Sequence, residues 1–96
     1  MELILHVKGA NSEKLRKILL EDELVSRANI VFKDAKVLGK EGYYVRVLGS
    51  EEQCKKALEI SKDLAEEVTG AEREKVVSIL REEDERMLSG FSGIFR

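Results

Sequence analysis

Ile30-Val31-Phe32-Lys33-Asp34-Ala35-Lys36-Val37-Leu38-Gly39-Lys40-Glu41-Gly42-Tyr43-Tyr44-Val45-Arg46-Val47-Leu48 decides the fold class. Residues 30–32 and 35–38 flank Lys33-Asp34, and residues 39–42 have the length and glycine content of a hairpin loop. Residues 43–48 are dense in β-branched and aromatic side chains, so the stretch predicts a β-hairpin over about 30–48. In its second strand Tyr43, Val45 and Val47 share one face, and Tyr44, Arg46 and Leu48 the other. One face should meet helices, the other solvent or a partner.

Upstream of the hairpin, Leu3, Leu5 and Val7 alternate with Ile4, His6 and Lys8, the period of a half-buried strand over 2–8. Gly9-Ala10-Asn11-Ser12 then carries turn chemistry, with Asn11 or Ser12 placed to cap a helix containing Leu15, Ile18 and Leu19. That stripe shifts after Glu21-Asp22-Glu23, which suggests a break.

Downstream, Ser50-Glu51-Glu52-Gln53 spells a capping box. Cys54, Ala57, Leu58, Ser61, Leu64, Ala65 and Val68 follow at three- and four-residue steps, predicting a second helix that runs to a C-terminal stop at Gly70. A third, with Val76, Ile79, Leu80 and Met87 in its stripe, runs to about Leu88. The tail from Ser89 to Arg96 has two glycines but keeps Phe91, Ile94 and Phe95, an apolar set expected to dock rather than remain disordered.

The expected architecture is therefore α+β: a two-layer sandwich of ferredoxin-like order β-α-β-β-α-α, with an apolar C-terminal tail able to add an edge strand. All 96 residues form one domain. If nothing covers the edge of the first strand, a homodimer is the simplest way to finish the sheet.

Composition narrows function mainly by exclusion. Seventeen basic and 19 acidic residues give a net charge of −2, which offers no footprint for a phosphate backbone, so nucleic acid is disfavoured as a partner. The charge is uneven: residues 1–48 sum to +2 and residues 49–96 to −4. Lys33, Lys36, Lys40 and Arg46 stand around Tyr43 and Tyr44, as on a sheet that stacks single-stranded RNA, but Lys-Glu-Gly-Tyr-Tyr-Val-Arg-Val lacks the aromatic pattern of such a sheet. No apolar run reaches the roughly 20 residues of a membrane span, and the reading is cytoplasmic. High charge with scarce Asn, Gln, Cys and Met resembles the composition of hyperthermophile proteins.

One cysteine and one histidine are too few for a disulfide, a zinc site or an iron–sulfur cluster, and no cofactor is implied. Cys54 starts an apolar stripe and reads as core. His6 has no sequence neighbour to serve as orienter or nucleophile, and reads as a surface imidazole. Glu82-Glu83-Asp84-Glu85 lie about 100° apart around a helix and cannot converge on one metal ion. No acid, base and nucleophile come together, so the chain leans away from enzymes. His6, Tyr43 and Tyr44 are the residues an intersubunit active site would use.

The strand, glycine turn and helix start, followed by a hairpin and capped helix, resemble ACT-like regulatory domains and other ferredoxin-like modules over about the first 68 residues. Lys8-Gly9-Ala10-Asn11 stands where ACT domains carry an Asp/Pro-Gly turn. The resemblance implies small-molecule sensing, with ligand-binding residues Gly9, Ala10, Asn11 and Ser12 at the strand-to-helix turn and an intersubunit groove. The leading expectation is a non-enzymatic regulatory or interaction module that self-associates, with Phe91, Ile94 and Phe95 as interface residues.

Overall fold

Period-two alternation builds β1 (Glu2–Val7), whose Leu3, Leu5 and Val7 face one way and Ile4 and His6 the other. The computed structural model describes the backbone of residues 1–94 and the side chains of residues 1–86. After a 3-10 turn at Gly9–Asn11, α1 (Ser12–Glu21) buries Leu15 and Leu19. The helix ends where Asp22 turns its carboxylate onto the backbone N–H groups of Leu24 and Val25, at 3.0 and 2.9 Å. β2 (Asn29–Asp34) and β3 (Tyr43–Leu48) form the expected antiparallel pair.

The hairpin differs from expectation between its strands. Residues 35–38 are not a strand but a 3-10 turn, Ala35–Leu38, capped by Asp34 accepting from the Lys36 N–H at 2.9 Å. Gly39 closes that turn at φ +72°.

α2 (Glu51–Ser61) starts with the capping box as read: Ser50 Oγ accepts from Gln53 N–H at 3.1 Å, and Gln53 Oε1 accepts from Ser50 N–H at 2.9 Å. It stops at Ser61, about two turns short of the expected Gly70. Ser61 Oγ donates back to Ala57 O at 2.6 Å, and the chain turns through Leu64 N–H to Ser61 O. β4 (Ala65–Glu67) then pairs with β1, Val7 opposite Ala65 and Leu5 opposite Glu67, and Val68 N–H adds a bond to Ile4 O at 2.8 Å. The helical spacing of Leu64, Ala65 and Val68 is overridden because β1 otherwise leaves a ladder of buried N–H and C=O groups unpaired. β1 is thus an inner strand, and the sheet order is β2-β3-β1-β4, antiparallel throughout.

α3 (Gly70–Ile94) supplies a third layer where two were expected. The α1 and α2 side of the sheet holds Leu3, Leu5, Val7, Val45 and Val47 with Leu15, Leu19, Cys54 and Ala57. The opposite face holds Ile4 and Tyr44, and α3 closes over it with Val76 and Leu80. Burying Tyr44 and Ile4 on that face is why it is not left to solvent. Residues 89–94 continue α3, so they do not add an edge strand. The side chains of Phe91 and Ile94, and Phe95 altogether, lie outside the described residues. Among the described residues no helix is long and apolar enough to cross a membrane.

Candidate functional site

Gly42 places the polar groups at one end of the sheet. Its φ is +89°, and a Cβ there would fall 2.2 Å from Val7 O, so the chain passes directly over the end of β1. Ala35 N–H to Gly42 O at 2.9 Å and Lys40 N–H to Ala35 O at 3.0 Å close the 39–42 loop. This lays Glu41 O 2.7 Å from His6 Nε2. A carbonyl only accepts, so Nε2 is the donor of this bond.

Tyr44 lies opposite His6 in the β1–β3 register, with the ring centroids 5.4 Å apart and tilted by 59°. Its hydroxyl donates to Glu72 Oε2, in the first turn of α3, at 2.6 Å. Lys40 pairs with the same carboxylate oxygen. Burial, then the Glu72 hydrogen bond and charge, push the Tyr44 phenol up to about 12. Hydrogen bonds from Lys40 and then Tyr44 hold the Glu72 carboxyl below its ordinary value, against a smaller opposing effect of burial.

The arrangement suits holding rather than turnover. Glu72 is stabilised as the anion and makes a poor base, while Tyr44 is a poor acid. Cys54 lies on the other side of the sheet, buried, with Sγ 3.5 Å from Val47 O. Among the described residues, no group of three His, Cys, Asp or Glu side chains is placed to hold a metal ion.

A cleft of about 470 Å3 opens beside His6, bordered by Lys8, Asn11, Lys40, Lys62, Asp63 and Glu66. It brings Asn11 of the expected ligand turn to the same mouth as the Lys40 loop. Within that turn, Asn11 N–H donates to Lys8 O at 2.9 Å and Ser12 N–H to Gly9 O, so two of its backbone donors are already engaged. Ser12 is buried and its hydroxyl donates to Gly9 O at 2.8 Å. Gly9 and Ala10 are exposed.

Lys40 and Glu72 are 32 residues apart, and no local pattern links them; only β4 turning the chain back brings α3 over the hairpin. Glu72 should matter most at neutral pH. Its lowered pKa means that its contribution is fully present above the ordinary carboxylate range and lost as pH falls through the lowered value. Glu72→Gln is expected to cost about 1 kcal/mol at pH 7, discounted for partial exposure, and nothing below that transition. Urea unfolding of both proteins between pH 3 and 7 reads the difference; a gap that persists unchanged into acid contradicts it.

Compared with known proteins, the chain matches no family model, no curated protein and no solved structure.

Proposed function

We propose that this protein is a non-enzymatic cytoplasmic regulatory or interaction module, ferredoxin-like in its order of elements, that works as a homodimer. The strand order β2-β3-β1-β4 with helices after β1 and β3 supports the ferredoxin-like part of the reading.

One observation carries the self-association. α3 has 25 residues, a length of about 37 Å, whereas a six-residue strand spans about 20 Å. The helix outruns the sheet that it crosses. In the sequence of its last turns, Met87, Leu88, Phe91 and Ile94 recur at helical spacing. A second copy, whose α3 outruns its own sheet in the same way, is the simplest partner for that length of helix.

The cleft beside His6 favours a second reading, a sensor of a small molecule that carries charge of both signs, since Lys8, Lys40 and Lys62 line it together with Asp63 and Glu66. Native mass spectrometry of the full chain, purified gently from its own cells, tests both. A dimer is expected, and Phe91→Glu should convert it to a monomer with unchanged circular dichroism. A wild-type monomer sinks the self-association. A retained small mass favours the sensor and begins to name its ligand.

A further inference from the structure

α3 and the sheet beneath it are joined by ion pairs as well as by an apolar cluster. In the three ion pairs found on the β2–β3 side the cation belongs to the sheet or its loop and the carboxylate to α3. Lys33 pairs with Glu83, Lys40 with Glu72, and Arg46 Nη1 with Asp84 Oδ2 at 3.1 Å. At β1 the signs reverse: Arg81 lies 3.5 Å from Glu2 Oε1, and Arg73 donates to Glu2 O at 2.7 Å. The apolar part is small. Of the described α3 residues only Val76 and Leu80 are fully buried, with Val77 beside them.

The docking also leaves a defect. Arg46 is 6% exposed, and its Nε is buried without a hydrogen-bond partner among the described residues. A guanidinium covered but not satisfied weakens the covered state. The connection to α3 is short and exposed. Val68 is pinned to Ile4 O, Thr69 is exposed, and Gly70 follows at φ +64° with open space where a Cβ would stand. Residues 69–70 are thus the point at which a rotation would free α3 while β4 stayed on the sheet.

We propose that α3 is exchanged between two copies of this chain, each sheet face of Ile4, Tyr44 and Arg46 receiving the helix of the other. This rests on the self-association reading and names its mechanism. The face requires a helix with an apolar pair one turn apart, a carboxylate one turn before it, and adjacent carboxylates after it to meet Lys33 and Arg46. A second α3 meets that requirement position by position. Exchange therefore keeps every contact of the docked helix and alters only the hinge, while it carries the overhanging end of each α3 across to the other protomer.

The test uses wild-type protein. Isotope-labelled and unlabelled chains are unfolded together, refolded and joined by zero-length carbodiimide cross-linking, which couples Lys33 to Glu83 and Lys40 to Glu72. Exchange predicts cross-linked peptides of mixed label as abundant as those of single label. Single-label pairs alone, from a preparation that is dimeric by native mass spectrometry, overturn the exchange and leave self-association standing. Single-label pairs from a monomer overturn both.

A second measurement uses the fourfold variant Lys33→Glu, Arg46→Glu, Glu83→Lys, Asp84→Lys, which has the wild-type net charge and matched pairs within itself. Exchange predicts that it and wild type sort into separate homodimers after mixing. Free mixing into heterodimers overturns the proposal.

Discussion

Gly42→Ala is expected to cost about 3 kcal/mol of folding stability, combining the strain of a left-handed backbone with forced displacement of β1. For a chain of this size that lowers the melting temperature by more than about 10 °C. The added Cβ would stand 2.2 Å from Val7 O and 3.1 Å from Lys8 Cα, both backbone atoms that a rotamer change cannot clear. Gly39→Ala is the control. It has the same sign of φ, +72°, but nothing lies within 4 Å of its Cβ, so only about 1–2 kcal/mol of conformational strain is expected. Calorimetry of the two variants side by side separates strain from close approach. Equal losses contradict the view that the 39–42 loop is seated directly on β1. Because that seating holds Glu41 O on His6 and Lys40 over Glu72, Gly42→Ala should also remove most of the Glu72 dependence on pH.

The parts of this fold that could be read from sequence are those in which local chemistry and burial agree. Ser50 and Gln53 close a capping box that needs only four residues to be recognised. Leu3, Leu5, Val7, Val45 and Val47 alternate because they share the face of the sheet that α1 and α2 cover, and Cys54 is buried because it starts the stripe of α2. Where the reading fails, a distant partner decides. Leu64, Ala65 and Val68 fit a helix as well as a strand; the unpaired side of β1 selects the strand. Gly90 and Gly93 suggested a break, yet glycine costs a helix only about 1 kcal/mol each relative to alanine, and α3 continues through both. The third layer was hidden because the face of Tyr44 and Arg46 is too polar to announce itself as core. The Tyr44–Glu72–Lys40 group was hidden because Glu72 comes from a distant segment, 28 residues beyond Tyr44 and 32 beyond Lys40, and no local pattern links it to the hairpin.

Leu19→Ala is expected to cost about 2–5 kcal/mol and to lower the stability of the whole chain, whereas Leu80→Ala should release α3 alone. Leu19 is fully buried in the cluster that α1, α2 and the sheet share, so a cavity there weakens every contact between those elements. Leu80 is also buried, 3% exposed, but stands in a thinner layer, where Val76 is the other buried side chain described on α3. The ion pairs that remain are partly exposed, and pairs of that kind contribute about 0–1 kcal/mol each. Removing Leu80 therefore takes away one of the two buried apolar side chains described on α3, and the helix opens as a local unit. Hydrogen exchange distinguishes the two results. In Leu80→Ala the amides of α3 should lose protection while those of Leu5 and Val45 keep theirs; in Leu19→Ala all should fall together. Parallel losses in Leu80→Ala would place α3 in the same cooperative unit as the sheet, and a helix that cannot leave without unfolding its own domain could not be exchanged with another.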